Sequence, residues 1–175
     1  MISRNLKCSL YALFMLTLAG WLLAMPVTGA QAKEKPDLSQ IPKAVMDGLM
    51  AKFPKAEIHK WTQEKEGEIV IYDFEFKQGR QKLEADVKED GSIFNWERAI
   101  KAKALPDAVK KTVEMKFPKA ELEEIMEITA VTDGQDALEG YEIVLETADE
   151  KDVEITVAPD GKILEDSGEM TPEEE

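Results

Sequence analysis

Apolar residues recur at every fourth position in two segments of the chain, and each run predicts an α-helix. The first run is made of Ile41, Val45, Leu49 and Phe53. The second run begins 64 residues later and is made of Leu105, Val109, Val113 and Phe117. Pro54 and Pro118 follow directly and should end the helices, because the residue before a proline is pushed out of helical geometry. Each helix is therefore expected to bury one apolar stripe.

Alternation of apolar and polar residues follows each helix and predicts four β-strands. In the clearest strand, residues 68–76, the side chains on one side are Val70, Tyr72, Phe74 and Phe76. The dipeptides Asp90-Gly91 and Asp160-Gly161 are typical of tight turns between antiparallel strands. Extra residues around positions 132–137 of the second segment indicate a longer hairpin loop there. The apolar side of each sheet would be covered by the helix stripe.

The two segments are copies of an internal repeat. Phe-Pro-Lys-Ala-Glu occurs at positions 53–57 and again at 117–121. When residues 41–57 are placed over 105–121 without gaps, nine of seventeen positions are identical. Helix physics does not require the matching residues after the proline, so two unrelated amphipathic helices do not explain the match. We predict an α+β fold of two tandem repeats, residues 41–100 and 105–166, each with one helix packed on a four-stranded antiparallel sheet.

The first 32 residues have the features of an export signal. Arg4 and Lys7 precede an uncharged apolar run, and Ala30-Gln31-Ala32 places small residues where signal peptidase reads them. The run is shorter than the about 20 residues of a membrane span, so cleavage after Ala32 is favoured over an uncleaved anchor. We predict a periplasmic or secreted bacterial protein with no membrane segment after cleavage. Residues 33–40 are then a linker, and residues 167–175 an acidic disordered tail.

The chain is strongly acidic, with 36 aspartates and glutamates, 22 lysines and arginines, and a net charge of −14. Such a surface repels nucleic acid and anionic lipid, so we predict neither as a partner. A solvated surface that keeps an exported protein soluble accounts for most of this charge. A basic protein partner or loosely bound divalent cations are also compatible with it. The only cysteine, Cys8, lies in the signal segment, so the exported chain has no disulfide.

The repeated pattern carries a resemblance to a known family. It reads Ile/Leu-Pro-x-Ala-Val, a helical spacer, Phe-Pro-Lys-Ala-Glu, an aromatic-bearing strand, and Asp-Gly before a final strand. This order resembles the PepSY-like family, which is also described as β-lactamase-inhibitor-like, over residues 41–164 in two copies. The resemblance implies an exported bacterial protein of tandem small α+β domains with a non-catalytic role in binding or inhibition. It implies no individual site residue.

The sequence contains no recognisable set of catalytic residues. His59 is the only histidine, and the exported chain has neither a cysteine nor a glycine-framed serine to act as its nucleophile. Its place on a predicted strand, near Trp61, is typical of a structural or surface histidine. We therefore predict that the protein is not an enzyme and that it uses no cofactor.

One stretch partly matches a calcium-binding loop. Asp86, Asp90, Gly91 and Glu97 have the spacing of an EF-hand, but Lys88 stands where a ligand is required. The flanking segments predict strands rather than helices. We therefore interpret the stretch as a β-hairpin and predict no dedicated metal site.

Four apolar residues of the first repeat are the candidate partner contacts: Trp61, Ile69, Ile71 and Trp96. Ile69 and Ile71 should face away from the helix, and an apolar patch on the open side of a sheet can mark a binding surface. Tryptophans often anchor interfaces, although core packing or contact between the repeats would also explain these residues. The favoured hypothesis is a non-catalytic module that binds an unknown protein, with a hydrolase as one candidate. The alternative is an acidic envelope protein that loosely binds divalent cations.

Overall fold

The computed structural model describes residues 36–67 and 69–167, and these contain two α-helices and eight β-strands. In chain order the elements are α1 (Lys43–Lys52), β1 (Glu57–Glu66), β2 (Ile69–Gln78), β3 (Gln81–Lys88), β4 (Ile93–Ala99), a short 3-10 helix (Ala102–Ala104), α2 (Asp107–Lys116), β5 (Glu121–Thr132), β6 (Gln135–Glu146), β7 (Asp152–Val157) and β8 (Ile163–Asp166). The predicted signal segment, and all but the first residue of the predicted tail, lie outside the described residues.

All eight strands form a single antiparallel sheet in the order β1 to β8. The predicted fold of two tandem repeats, each with its own four-stranded sheet, is therefore wrong, and the described structure is mostly β. The difference arises at β4 and β5, which pair from Asn95 opposite Ala130 to Ala99 opposite Met126. Two separate sheets would leave both strands as edges with unpaired backbone groups, and joining them satisfies those groups.

Both helices are confirmed at the predicted places. Each begins directly after a proline and ends before the Phe-Pro pair, where the backbone N–H of Phe53 or Phe117 donates to the carbonyl of Leu49 or Val113 at 2.8 Å. Proline is well tolerated at such a start because the first N–H groups of a helix have no partner within it. The helix positions are therefore set by local sequence.

The two helices lie on the same side of the sheet, which we call the helix side. The α1 stripe packs on the first four strands, among buried side chains that include Tyr72, Phe74 and Phe76. The α2 stripe packs in the same way on the second four strands, against Ile143 and Ile155 among others. The opposite side of the sheet, which we call the open side, is not covered by either described helix.

The hairpin between β5 and β6 differs from the predicted longer loop. The extra residues lengthen both strands to 12 residues, and a two-residue turn at Asp133 and Gly134 joins them, with φ of 53° and 74°. Positive φ at both positions is the geometry that suits the twist of a hairpin. Beyond the turn, Lys52 at the end of α1 donates to Asp136 at 2.6 Å. The longer hairpin thus connects the second half of the sheet to the first helix.

Each helix also packs closely on an Asp-Gly turn. A Cβ atom at Gly91, where φ is 86°, would lie 2.3 Å from the carbonyl oxygen of Ala44 in α1. The turn at Gly161 is also close to α2, since a Cβ there would lie 2.9 Å from the carbonyl oxygen of Ala108, and the hydroxyl of Thr112 donates to the carbonyl oxygen of Gly161 at 2.7 Å. Glycine is therefore required at Gly91 by both the left-handed backbone and the contact with the helix.

We expect Gly91→Ala to destabilise the protein much more than Gly79→Ala. Both glycines have positive φ, so alanine costs about 1 kcal/mol at either position. A Cβ at Gly79 meets nothing within 4 Å, whereas at Gly91 it forces the helix backbone away and adds about 2 kcal/mol. Urea denaturation of the two variants measures this difference. Equal losses would show that the contact between turn and helix does not constrain the fold.

Candidate functional site

The open side of the sheet carries an unusual density of carboxylates. Strand register turns carboxylates of seven strands, β2 to β8, to this side, and we call nine of them the acidic face: Asp73, Glu75, Glu84, Asp86, Glu97, Glu124, Glu142, Glu154 and Glu165. They come from strands of both halves of the sheet, so the set exists only because β4 and β5 pair.

Several of these carboxylates lie directly opposite one another on neighbouring strands. Asp73 is opposite Asp86, and Glu84 stands between Glu75 on β2 and Glu97 on β4. Like charges in opposed positions destabilise a sheet, by up to about 1 kcal/mol a pair. Glu97 is only 2% exposed, so the repulsion acts partly away from water. The register therefore concentrates negative charge where local stability disfavours it.

Two lysines offset part of this charge. Lys82 on β3 reaches over β4, with its Nζ 2.6 Å from Glu124 Oε1 and 3.1 Å from Glu84 Oε1. Lys60 on β1 pairs with Glu75 at 2.6 Å. These two lysines thus pair with three of the nine carboxylates.

Burial and mutual repulsion hold part of the acidic face in the protonated form. Burial raises the pKa of Asp73 to about 8, and the neighbouring charges of Asp86, Glu84 and Glu75 add to this rise. Burial also raises the pKa of Glu142, assisted by nearby carboxylates. Asp73 and Glu142 are therefore mainly neutral at pH 7, and the open side can take up or release protons near neutral pH.

Apolar side chains separate the carboxylates on the same side. Ile71 on β2 and the β5 residues Met126 and Ile128 are buried, and Val144 on β6 is half-buried. Ile69, at the start of β2, is 37% exposed. The open side thus combines carboxylates with apolar side chains that a partner could contact.

The four predicted contact residues divide between the two sides of the sheet. Ile69 and Ile71 face the open side as expected. Trp61 and Trp96 lie on the helix side, where they pack against the buried side chains between α1 and the first four strands. The indole N–H of Trp61 donates to the carbonyl of Asp37 at 2.9 Å, and the ring of Trp96 meets that of Phe53 at 5.8 Å. The structure therefore does not bring the four together.

The acidic face was not predicted from the sequence, because it depends on which residues of neighbouring strands lie opposite one another. Alternation already turns Glu84 and Asp86 away from the core of the first half. It does not reveal that they lie opposite Glu75 and Asp73 on one neighbour and Glu97 and Asn95 on the other. Only the pairing of strands places these groups side by side.

The two sequence features considered for catalysis or metal binding, His59 and the stretch from Asp86 to Glu97, both lie in ordinary parts of the sheet. His59 is exposed on β1, at an irregularity in its pairing with β2. The stretch from Asp86 to Glu97 is a hairpin of β3 and β4, which confirms the hairpin interpretation. In its turn the Asp90 carboxylate accepts hydrogen bonds from the backbone N–H and hydroxyl of Ser92, at 2.9 and 2.6 Å.

One trio of carboxylates near the strand ends has oxygens close enough to share a cation. Glu123, Glu146 and Asp152 each place one oxygen within 4.8 Å of the others. Oxygen ligands of this kind suit calcium or magnesium. The trio lies where β5, β6 and β7 meet, and the register puts Glu146 and Asp152 on the open side, next to Glu154 of the acidic face.

Comparison with known proteins identifies relatives by family and by fold. The family described as "Putative beta-lactamase-inhibitor-like, PepSY-like" matches residues 30–95 and 70–165. No curated protein sequence matches the chain. Among the described residues, neither α-helix is long and apolar enough to cross a membrane.

Three solved structures from Bacteroides have a similar fold. A protein of B. eggerthii described as a "putative periplasmic" protein is 14% identical, with a TM-score of 0.56 over 73% of this chain and 88% of its own. A DUF2874 family protein of B. uniformis is 12% identical, with a TM-score of 0.54 over 71% and 87%. A BLIP-like protein of B. fragilis is 16% identical, with a TM-score of 0.51 over 74% and 89%. The description of the B. eggerthii protein as periplasmic agrees with the predicted export of this chain.

We expect Asp73→Asn to stabilise the protein at pH 9 and to have little effect at pH 4. The folded protein holds this proton up to a pKa of about 8, whereas the unfolded chain loses it near 3.8. Stability therefore falls as pH rises through this window, and an amide removes the loss, which is on the order of a few kcal/mol. Urea denaturation at both pH values measures the effect.

The matched control is Asp107→Asn, which removes the same charge from a fully exposed side chain on α2. It should change stability by about 1 kcal/mol or less at either pH. If Asp73→Asn behaves like this control at pH 9, the carboxyl of Asp73 is not held neutral by the fold.

Proposed function

Since the chain belongs to the PepSY-like, beta-lactamase-inhibitor-like family, we propose that it is a non-catalytic binding protein of the bacterial periplasm. Its ligand is another protein, which it contacts through the open side of the sheet. Export is supported by the N-terminal signal pattern and by the description of the B. eggerthii protein as periplasmic.

The observation that carries this proposal is the uncovered side of a continuous eight-stranded sheet. Seven strand spacings of about 4.8 Å make the sheet roughly 34 Å wide. A band about 20 Å long across that width has an area of roughly 700 Å², close to the about 800 Å² that one partner contributes to a standard interface. Both helices pack on the other side, so neither of them covers this area.

The finer form of the proposal is inhibition of an envelope or secreted hydrolase. It is supported by the description of the family as beta-lactamase-inhibitor-like and of the B. fragilis neighbour as BLIP-like. An inhibitor needs a broad, preformed surface rather than catalytic groups, and the open side offers such a surface.

We expect Ala130→Trp to abolish partner capture without unfolding the protein. Ala130 is half-buried on the open side of β5, opposite Asn95, so a large ring there would block close approach. Purified wild-type and variant proteins would be used as bait in the envelope and secreted fractions of the source cells, with mass spectrometry to identify captured proteins. Circular dichroism would check folding.

The matched control for this experiment is Ala148→Trp, which adds the same ring to the exposed turn between β6 and β7. This control should capture the same partner as the wild type. A partner retained equally by both variants would assign binding to another surface, and any captured hydrolase can be assayed directly for inhibition.

A second candidate function is divalent cation binding, which the trio of Glu123, Glu146 and Asp152 favours. Titration calorimetry with calcium should then give a Kd below about 1 mM, and Glu146→Gln should weaken binding about tenfold. Asp86→Asn, on the acidic face, should not change it. A titration without heat would remove this candidate.

A further inference from the structure

We infer that the two outer edges of the sheet are closed against a second copy of this chain, because charged residues stand where the β4–β5 junction has neutral ones. Without these charges, β8 of one copy could pair with β1 of the next copy in the way that β4 pairs with β5. The inference concerns the ends of the sheet rather than its open side, so it does not depend on the proposed function. It predicts that the exported protein is a monomer.

The outer edges are copies of the two edges that meet at the junction. β1 and β5 each follow a helix and a Phe-Pro pair, and each has an irregularity near its start, at Ile58 and at Leu122. β4 and β8 each follow an Asp-Gly turn, and each begins with an isoleucine, Ile93 or Ile163, opposite a buried valine. In the described sheet, β1 and β8 each pair with one neighbour only. The sheet therefore ends in the same kinds of strand that join its two halves.

Pairing between such edges has no natural end. The junction is heterologous, since it joins the last strand of one half to the first strand of the other. Contacts of this kind form open chains of molecules unless a rotation closes them into a ring. Edge strands also present unpaired backbone groups to any strand that approaches. We therefore looked for features of β1 and β8 that prevent the addition of a second copy.

The residues that β5 brings to the junction are neutral and buried. On the helix side, Thr129 lies opposite Trp96, whose ring meets that of Phe53 at 5.8 Å. On the open side, Ile128 lies opposite Glu97. Thr129 and Ile128 are only 6% and 5% exposed. Pairing at this edge thus removes from water whatever side chains stand at these two positions.

β1 has charged residues at the same two positions. Counted from the irregularity near the start of each strand, Glu64 corresponds to Ile128 and Lys65 corresponds to Thr129. Lys65 is exposed and Glu64 is half-buried. A second copy that paired here would take both charges out of water, which is unfavourable unless the new neighbours compensate each ion. Lysine on an edge strand commonly prevents pairing of this kind.

β8 has an acid at the position that Trp96 occupies on β4. Trp96 lies opposite Ala85 on β3, and Asp166 lies opposite the equivalent residue Ile155 on β7. The Asp166 carboxylate is 2.5 Å from Nζ of Lys116 at the end of α2, and its side chain is only 7% exposed. β8 also has four residues, whereas β4 has seven. The outer edge is therefore short, and its acid is held by its own helix.

Equivalent lysines at the ends of the two helices distinguish the junction from the outer edge. Lys52 at the end of α1 reaches across the junction to Asp136 of the second half, at 2.6 Å. Lys116 has the same place in α2 but pairs with Asp166 on β8, within its own half. The first lysine thus stabilises pairing between the halves, and the second closes an edge. A second copy would meet an acid and a lysine that are already paired.

Contacts between the two outer edges would not compensate the buried charges. In the register of the junction, Asp166 of one copy would lie opposite Lys65 of the other, but Asp166 already has Lys116 as its partner. Glu64 would lie opposite Ser167, whose hydroxyl is bonded to the backbone of β7 at 2.8 and 2.9 Å. Glu64 would therefore gain no cation from the second copy. Both edges thus oppose the pairing that their strand order would allow.

Transplanting the junction residues onto the outer edges tests this inference. The β1 graft, Glu64→Ile with Lys65→Thr, gives β1 the residues of β5, and the β8 graft, Asp166→Trp with Ser167→Glu, gives β8 those of β4. Each graft opens one edge only, so each variant alone should remain a monomer, like the wild type. An equimolar mixture of the two variants should form a heterodimer. Sedimentation equilibrium would show it as a near doubling of the molar mass.

A protein that carries both grafts should assemble further, because each copy then has one open edge of each kind. Its molar mass should rise steadily with protein concentration rather than stop at the dimer. Circular dichroism would check that every variant is folded. A wild type that self-associates would overturn the inference. Folded grafted variants that stay monomeric in the mixture would overturn it too.

The matched control replaces Asp166→Trp by Leu164→Trp in the β8 graft. Leu164 is an exposed residue of β8 that does not correspond to Trp96, so the ring adds apolar surface at an unmatched position. Mixed with the β1 graft, this control should remain monomeric. A heterodimer formed equally well by the control would show unspecific association and overturn the inference.

A milder variant covers the case in which the β8 graft does not fold. Asp166→Leu alone removes the same acid with a smaller side chain and leaves Ser167 in place. Its mixture with the β1 graft should still form heterodimers, although more weakly than the full graft. A folded Asp166→Leu variant that shows no association with the β1 graft would contradict the closing role of this acid.

Discussion

The pairing of β4 with β5 is the interaction on which the rest of the structure depends. It turns two sets of four strands into one sheet and removes the two edges that separate sets would expose. It also brings Glu97 of the first half beside the β5 residues Met126 and Ile128 of the second. The ion pair from Lys82 to Glu124 crosses the same junction. The electrostatics of the open side are therefore a property of the joined sheet.

Apolar packing on the helix side provides the stability that offsets the repulsion between carboxylates on the open side. Phe74, Phe76 and Leu49 are among its fully buried side chains, and burial of each contributes about 2–3 kcal/mol. Each pair of opposed carboxylates costs less, up to about 1 kcal/mol. Protonation of Asp73 and Glu142 lowers that cost further in the free protein. The two sides of the sheet thus differ in role, since the helix side contains the apolar core and the open side carries the carboxylates.

Local features of the fold were predictable from sequence, whereas the features that create the candidate site were not. The helices follow from the stripe before Phe53 and the proline after it, and the Asp90-Gly91 turn follows from residue type. The pairing of β4 with β5 depends on a connection that includes α2, and no local pattern encodes its register. Trp96 was left open between core packing and partner contact, and its pairing with the core residue Ala85 on β3 places it on the helix side. The lengthened β5–β6 hairpin was missed because Asp133-Gly134 suits both a long loop and a tight turn.

The protonation of Asp73 and Glu142 also affects how strongly the open side attracts cations. A face that stayed fully ionised would attract any cation within a Debye length, about 8 Å at physiological ionic strength. When Asp73 and Glu142 are neutral, a ligand must come close enough to favour their ionised forms before it gains the full attraction. The burial and repulsion that raise the pKa of these carboxyls thus also reduce the charge that the free protein presents on its open side.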